Sequence, residues 1–372
     1  MNQREAKRRS ADCPAQPVMQ GGGFYNSHSQ MQQEAAGFGV PLLERAIREV
    51  PLPDQGGVFL VADYGSSEGK NSLEIMRRVV ELVRCRASDR SGALPIAVVH
   101  VDQPANDFRS LFTLVDASER SYLRASSDVF CFATGRSFFE RVFPTEQVSL
   151  GWSSIAAHWI SRVPVPIPDH FWNTRATGDA ARALAEQART DWQRFLDHRA
   201  HELKPGGRLV VVCGAADEQG GSGGEGLADA ANGVLQTMVA DRTLRRQEYE
   251  RMAIPTYNRR KEEFTAPFAA RHIGDRLVLE DYRQAVTPDP PWQQYERDGD
   301  AEAFGVAQAA WFRAWSETSL FRALDADRPP EDRSRLADAF FAALQEKIAA
   351  DPLAARCQWQ VAAMLIAKQV GR

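Results

Sequence analysis

Acidic residues placed directly after apolar runs are the first sign of chemistry in this sequence. Residues 59–62 form one apolar run, which is followed by Asp63, Gly65 and Gly69. A second apolar run ends at Asp102. In a doubly wound fold, ligands bind beyond the carboxyl ends of the strands, and an acid after the second strand can accept hydrogen bonds from both hydroxyls of a ribose. Together the two acids predict a nucleoside site, although each alone is compatible with a capping or turn residue.

The glycine spacing of the first turn indicates which nucleoside derivative would bind. A dinucleotide fold has the pattern GxGxxG, in which backbone amides approach a pyrophosphate. Gly65 and Gly69 do not form that pattern, so a nicotinamide oxidoreductase is a distant alternative. An acid at the turn suits a ligand that carries positive charge and hydroxyl groups. S-adenosylmethionine is one ligand of this kind.

Apolar runs that alternate with helical periodicity predict the elements that would position these residues. This alternation is typical of an α/β fold with a parallel, doubly wound sheet. The predicted strands are residues 58–62, 96–101, 129–133 and 208–213. The predicted helices between them are residues 72–84, 137–141 and 179–202.

The sequence changes in character after residue 213. Residues 219–226 are rich in Gly and Ser, a composition typical of flexible linkers. Beyond them we predict helices at residues 227–241, 243–252 and within 301–349, and strands at 276–279 and 360–366. The predicted domains are a flexible N-terminal arm (1–18), a cofactor-binding core (19–218, 270–285 and 355–372) and a helical cap (219–269 and 286–354).

Charge, cysteine content and hydropathy exclude several function classes. The chain has 372 residues with 45 Lys+Arg and 49 Asp+Glu, and a net charge of −4 offers no broad positive surface to nucleic acid. The five cysteines form no CxxC pair, which favours a reducing compartment over a disulfide framework or a zinc ribbon. The apolar runs are far shorter than the ~20 residues that cross a bilayer. We expect a soluble, cytoplasmic protein that binds no metal, no nucleic acid and no membrane.

A series of short motifs lies in one order along the chain. They are residues 25–32, 62–71, 102–108, 135–139, 143–144, 152–159, 161–164, 205–208 and 254–257. In this order they resemble the SABATH (salicylate, benzoate, theobromine) family of S-adenosylmethionine-dependent methyltransferases. Several matches in order are more specific than any one of them. We interpret the chain as a bacterial-type member of this family.

The resemblance implies a fold and a set of site residues. The fold would be a Rossmann-like class I methyltransferase sheet with a helical cap, assembled as a homodimer, and S-adenosylhomocysteine would be the product. The implied cofactor contacts are Gln20, Tyr25, Ser29, Asp63, Gly65, Asn71, Asp102, Gln103, Ser137 and Phe138. The implied substrate pocket consists of Gln32, Ile155, His158, Trp159 and Phe312, of which Gln32, Trp159 and His158 would serve catalysis.

Neutral hydrogen-bond donors suit methyl transfer to a carboxylate. A carboxylic acid with a pKa of about 4 is ionised at neutral pH and needs no general base. The enzyme must align the reacting groups and remove water from the carboxylate. An Arg or Lys would hold the carboxylate lone pairs tightly, whereas Gln32 and Trp159 would orient them more weakly. For His158, a hydrogen bond to the substrate is favoured over proton transfer.

Differences from the family motifs bear on the predicted substrate. Ile155 stands where Tyr is often found, Ala156 and Ala157 are small, and Leu227 and Ala228 align with a Trp of the aryl-acid enzymes. These changes favour an aliphatic chain, so the predicted substrate is an apolar carboxylic acid with a fatty acid first. A benzenoid or indole-type acid stays open.

Two alternative functions stay open, and two further segments of the sequence have a structural interpretation. N-methylation of a heterocycle such as a purine is one alternative. Gln20 and His28 differ from the residues that many plant members of the family carry at these positions, and these differences leave non-catalytic cofactor binding as another alternative. Residues 198–202, which contain two His, are expected to form a solvated helix face. Trp311 and Trp315 are expected to lie in the core of the cap.

Overall fold

The computed structural model describes residues 19–88 and 94–370 of the chain. The predicted N-terminal arm, residues 1–18, lies outside the described residues. The helices are α1 Phe24–Ser27, α2 Gln30–Phe38, α3 Val40–Glu49, α4 Lys70–Arg86, α5 Phe108–Ala117, α6 Gly178–Glu202, α7 Glu225–Ala240, α8 Arg246–Arg251, α9 Lys261–Ala269, α10 Arg271–Gly274, α11 Pro290–Asp298, α12 Ala301–Phe321 and α13 Pro330–Ala350. The strands are β1 Phe59–Tyr64, β2 Ile96–Asp102, β3 Val129–Gly135, β4 Val148–Ser154, β5 Leu203–Gly214, β6 Leu277–Val286 and β7 Gln360–Lys368.

The seven strands form one sheet with the order β3-β2-β1-β4-β5-β7-β6. The first five are parallel, and β7 runs antiparallel to both β5 and β6. Because β5 is covered on both faces, Leu209 and Val211 pack on one side, and Val210 and Val212 pack on the other. The prediction of a doubly wound α/β fold is confirmed.

Strand β4 was not predicted, because its sequence lacks the β-branched run that marks its neighbours. It carries three Ser and one Gly within seven residues, yet six of the seven are buried. The hydroxyl of Ser153 donates to the backbone oxygen of Tyr64 (3.0 Å), which satisfies one of these buried polar groups. At Gly151 a β-carbon would lie 2.8 Å from Leu209 Cδ1, so close strand packing requires Gly there.

The predicted helix at residues 137–141 is wrong. The hydroxyl of Ser137 accepts the backbone N–H of Phe139 (3.3 Å), which closes a local turn. The guanidinium of Arg199 donates to the backbone oxygens of Phe138 (2.8 Å) and Glu140 (3.0 Å). Backbone groups that a helix would pair internally are therefore bound by a side chain of α6.

The expected solvated face at residues 198–202 is wrong for three of its members, Arg199, Ala200 and Glu202, which are buried. Arg199 and Glu202 are fully buried and form a two-pronged ion pair, with Nε–Oε2 and Nη2–Oε1 distances of 2.8 Å. The carboxylate of Glu202 also accepts the Tyr64 hydroxyl (2.7 Å) and the backbone N–H groups of Val142 (2.6 Å) and Phe143 (3.2 Å). This network ties α6 to β1 and to the turn after β3.

The Gly-rich segment 219–226 is not a flexible linker. Its Ser222 is buried, and the Glu225 carboxylate accepts the backbone N–H groups of Ser222 (2.6 Å) and Gly223 (2.9 Å). At Gly223 a β-carbon would lie 1.8 Å from the backbone oxygen of Gln358. The glycines permit close packing against the residues before β7, and this need cannot be distinguished from flexibility by composition.

A helical layer covers the ends of the strands. Buried side chains from α7, α8, α11, α12 and α13 form one apolar cluster. By contrast, Phe264 of α9 packs with residues of the sheet. Among the helices of the described ranges, none is both long and apolar enough to cross a bilayer.

Candidate active site

The two acids predicted from the sequence lie on neighbouring parallel strands. Asp63 is near the end of β1, and Asp102 is the last residue of β2. The Asp102 carboxylate accepts the backbone N–H groups of Ser67 and Gln103, both at 2.7 Å. Burial raises the pKa of Asp102 to about 6, although these two hydrogen bonds oppose the shift and only Asp63 adds to it. Each carboxylate oxygen keeps a lone pair for a ligand hydroxyl.

A buried histidine that we did not predict holds Asp63. His100 is fully buried, and its Nδ1 lies 2.9 Å from the Asp63 carboxylate, while its Nε2 lies 2.8 Å from the Tyr122 hydroxyl. Burial acts to lower the pKa of His100, but the bond to Asp63 and the neighbouring Cys131 raise it to about 9. A polar residue inside an apolar strand, two positions before Asp102, is the signal that could have indicated it.

The turn after β1 depends on Gly65. Its φ is 91°, a conformation that favours glycine, and a β-carbon there would lie 2.3 Å from the Ala156 β-carbon. The Gly65 backbone N–H donates to the backbone oxygen of Val101 (2.8 Å), which fixes the turn to β2. The turn therefore leaves an open cradle beside Asp63 and Asp102 that any other side chain would fill.

Two cavities lie at this edge of the sheet, with about 620 and 380 Å³ of space that no atom fills, including space open to solvent. Asp102, Gln103 and Phe138 line the first, and Asp63 and Asn71 line the second. Both are also lined by Tyr25 and Gly65. We call them together the cofactor cavities. Seven of the ten predicted cofactor contacts thus come together here.

The other three predicted contacts do not line these cavities. The hydroxyl of Ser29 donates to Asn71 Oδ1 at 3.5 Å, so Ser29 lies behind the lining. The hydroxyl of Ser137 is engaged in its own turn. Gln20 is joined through its backbone N–H to the backbone oxygen of Ala314 in α12 (3.2 Å).

A third cavity, with about 660 Å³ of space that no atom fills, including space open to solvent, lies between the sheet and the helical layer, and we call it the acid cavity. All five predicted substrate residues line it: Gln32, Ile155, His158, Trp159 and Phe312. Its other aromatic walls are Tyr25, Trp172, Trp311, Trp315 and Trp359. Among the described residues that line it, none is Lys, Arg, Asp or Glu. The cavity therefore offers an apolar environment with a few neutral polar groups.

Tyr25 and Ile155 line all three cavities, and Trp159 lines the acid cavity and the larger cofactor cavity. Ile155 has a φ of 52°, which is rare for a β-branched residue and costs about 1–3 kcal/mol. Its backbone N–H donates to the backbone oxygen of Val212 (2.7 Å), which helps to hold this conformation. Strain is thus located where the cavities meet.

The Gln32 amide has a fixed orientation. Its Oε1 accepts the indole N–H of Trp311 at 3.0 Å, and both side chains are buried. The expectation that Trp311 and Trp315 are only cap core is therefore incomplete, because both also line the acid cavity. Their spacing of four residues on one helix placed them on a common face, but the sequence did not show which partner that face contacts.

His158 is neutral in this environment. Burial, with Arg259 nearby, lowers the pKa of His158 to about 3. Its Nδ1 accepts the backbone N–H of Gly214 (3.4 Å), so in the neutral ring the proton is on Nε2. His158 can therefore donate a hydrogen bond into the site, but it is a poor base at neutral pH.

Replacing His158 with Gln tests this assignment. Because Gln keeps a neutral donor, we expect kcat/KM to fall by less than about tenfold. At saturating cofactor, the pH profile of kcat should be flat near pH 6.5 in both proteins. A wild-type ionisation in that range that disappears in His158→Gln would contradict a neutral His158 and indicate proton transfer.

The sheet, the glycine turn and the paired acids at its carboxyl edge define the class of protein: a class I methyltransferase that depends on S-adenosylmethionine. A sequence model described as SAM dependent carboxyl methyltransferase matches residues 17–364, and the chain belongs to this family. The Gly65 cradle and the free lone pairs of Asp102 fit such a cofactor.

Individual relatives agree with this assignment. The chain is 31% identical over 307 residues to Methyltransferase LUC1 of Fusarium sp., which covers 80% of this chain and 81% of that protein. It is 31% identical to Indole-3-acetate O-methyltransferase 1 of Oryza sativa subsp. japonica, over 66% of this chain and 68% of that one. Loganic acid methyltransferase with SAH has the same fold, with a TM-score of 0.77, 20% identity, and coverage of 95% of this chain and 99% of that one. These relatives are fungal and plant proteins, so the prediction of a bacterial-type member is not confirmed.

Proposed function

We propose that the chain transfers a methyl group to the carboxylate of an apolar carboxylic acid and releases a methyl ester. One observation carries this proposal: an apolar cavity, which the described residues line without Lys, Arg, Asp or Glu, adjoins the cofactor cavities and contains Gln32 and Trp159. Neutral donors can orient a carboxylate and leave its lone pairs reactive. Since the acid is already ionised at neutral pH, the neutral state of His158 is consistent with this reaction.

The chain's own residues would bind, orient and desolvate the acid. S-adenosylmethionine supplies the methyl group when it is bound. Asp102 would accept the ribose hydroxyls, and Asp63, held by His100, would complete the polar side of the cofactor cavities. The Gln32 amide and the Trp159 indole N–H would orient the carboxylate, and the aromatic walls would exclude water from it. Ile155 and Tyr25 would separate the two ligands.

A fatty acid is our first candidate substrate, and a benzenoid or indole-type acid is the second. The apolar lining, with Leu227 and Ala228 in it, supports an alkyl chain. Ala156 and Ala157 do not favour an aliphatic chain as expected from the sequence, because neither residue lines the acid cavity. Ala156 instead packs against Gly65. The tryptophans of the wall support a flat ring, so both shapes belong in the test.

We also propose that the chain works as a homodimer in the cytoplasm, with the domain boundaries predicted above. Mass measurement in solution and cell fractionation test the first two points. Limited proteolysis, with cleavage near residue 18, tests the boundary of the N-terminal arm.

Trp159→Phe tests the function directly. Loss of one donor to a carboxylate is worth about 1.5–3 kcal/mol, so we expect kcat/KM for the acid to fall by about ten- to a hundredfold. The affinity for S-adenosylmethionine should change little. The measurement is transfer of labelled methyl to octanoate, palmitate, benzoate, salicylate, indole-3-acetate and a xanthine, with the methyl ester extracted from the reaction.

The matched control is Trp292→Phe. Trp292 lies in α11, does not line the acid cavity, and its indole N–H has no hydrogen-bond partner in the described part of the chain. If only the xanthine acquires label, the reaction is N-methylation and the proposal of carboxyl methylation is wrong. Tight cofactor binding without transfer to any acceptor would instead support a binding protein.

A further inference from the structure

We infer that Trp311 is a positioning residue that fixes the Gln32 amide and thereby selects carboxylates over substrates that present a ring N–H. This inference rests on the proposed function. Trp311 would act without touching the reacting atoms, through one hydrogen bond to the residue that grips the substrate.

The chemistry of the indole determines how the amide is turned. An indole N–H can only donate, so the Gln32 atom at 3.0 Å from Trp311 Nε1 is the carbonyl oxygen. The amide NH2 group is then on the other side of the side chain. Within residues 19–88 and 94–370 it donates to no protein group, so it is available to a ligand. A Ser or Thr partner could donate or accept and would not define this orientation.

Burial makes the orientation hard to reverse. Gln32 and Trp311 are 4% and 7% exposed, and both line the acid cavity. If the amide turned over, its NH2 group would face the indole N–H, and two buried donors would oppose each other without an acceptor. Because the reversed amide loses the hydrogen bond from Trp311, the observed orientation is favoured by about ten- to a hundredfold.

The two residues come from opposite sides of the cavity. Gln32 lies in α2, near the start of the described chain, and Trp311 lies in α12 of the helical layer. Trp311 is held by aromatic neighbours, since its ring lies 5.5 Å from Trp315 and 6.4 Å from Trp359. The backbone bond from Gln20 to Ala314 joins the same two parts of the chain. The donor geometry of Gln32 is therefore set by the position of Trp311 in the helical layer.

A fixed donor determines what the site can accept. With Gln32 locked, the Gln32 and Trp159 side chains both present N–H groups, and a carboxylate can accept from both. A ring N–H or a neutral hydroxyl proton needs an acceptor, and the Gln32 carbonyl oxygen, which could provide one, is turned towards Trp311 and not towards the ligand. If the Trp311 N–H is removed, the Gln32 amide can turn over, and its oxygen can then accept a hydrogen bond from such a ligand.

A double-mutant cycle with Trp311→Phe and Gln32→Leu tests the inference. We expect Trp311→Phe to lower kcat/KM for the best acid of the panel by about ten- to a hundredfold, with unchanged affinity for S-adenosylmethionine. In the Gln32→Leu background the same change should have little further effect, because Trp311 acts through Gln32. The ratio of ester formation to xanthine methylation should fall in Trp311→Phe, and Trp292→Phe again provides the control.

An independent measurement does not need turnover. The indole N–H resonance that disappears in Trp311→Phe should shift in the Gln32→Leu protein, since its acceptor is lost. An unchanged resonance would overturn the inference. Full additivity of the two substitutions, or an unaffected Trp311→Phe enzyme, would also overturn it and leave the carboxyl methylation intact. Methylation of ring nitrogen by the wild type would overturn both proposals.

Discussion

Asp102→Ala is expected to weaken the binding of S-adenosylmethionine by about a hundredfold or more. The carboxylate of Asp102 would accept two ribose hydroxyls, and hydrogen bonds to a charged group contribute about 1.5–3 kcal/mol each. Among residues 19–88 and 94–370, no other carboxylate lines the larger cofactor cavity, so none of them can substitute for Asp102 there. Isothermal titration calorimetry with S-adenosylmethionine or S-adenosylhomocysteine measures the loss.

An exposed acid in the same region provides the control. Asp116 lies in α5, outside the cofactor cavities, and Asp116→Ala should bind the cofactor as the wild type does. Equal affinity of Asp102→Ala and wild type would show that the ribose is bound elsewhere.

The pH dependence of binding follows from the same carboxyl group. The pKa of Asp102 is raised to about 6, so the protein loses the ionised acceptor as the pH falls through this value. Cofactor affinity should therefore decrease by up to about tenfold per pH unit below about pH 6. His100 stays charged over this range because its pKa is raised to about 9, so it adds no ionisation there. Asp102→Asn should remove the pH dependence, and a curve that persists in this variant would assign it to another group.

Arg199→Leu is expected to lower the free energy of unfolding by about 3–5 kcal/mol. Removing one partner of a buried ion pair leaves the other charge without compensation. Here the loss includes the bonds from Arg199 to the backbone oxygens of Phe138 and Glu140. Since Phe138 lines the larger cofactor cavity, cofactor affinity should fall with stability. Urea unfolding followed by circular dichroism measures the first effect.

The same helix supplies a matched control. Arg189 and Glu186 form a pair with the same spacing of three residues, but both side chains are more than half exposed. An exposed pair contributes little, so Arg189→Leu should change stability by less than about 1 kcal/mol. Similar losses for the two variants would mean that burial of the Arg199 pair does not matter.

The strands whose sequences are continuous apolar runs could be predicted, because burial on both faces leaves that pattern. Strand β4 could not, since its Ser and Gly residues are accommodated by specific neighbours such as Tyr64 and Leu209. The helix prediction for residues 137–141 is wrong for a related reason, because Arg199, about 60 residues later, binds their backbone. Local propensity does not contain such distant partners.

The candidate site divides in the same way. Asp63, Asp102 and Gly65 were predicted from the ends of strands, because topology alone brings these ends to one edge. Gln32 and Trp159 were implied by family motifs. The Gln32–Trp311 bond was not foreseen, since it joins residues 279 positions apart. His100 was not predicted, because its role depends on Asp63 of the neighbouring strand and on Tyr122, which its own position in β2 does not reveal.

The walls of the acid cavity have an optical consequence. The chain has eight tryptophans, and five of them, Trp159, Trp172, Trp311, Trp315 and Trp359, line this one cavity. The intrinsic fluorescence of the protein therefore originates largely from the place where the acid would bind. An acid that displaces water from these indoles would alter both emission intensity and wavelength, and a conjugated acid would quench them by energy transfer. Tryptophan fluorescence should therefore report the binding of candidate acids without an added label.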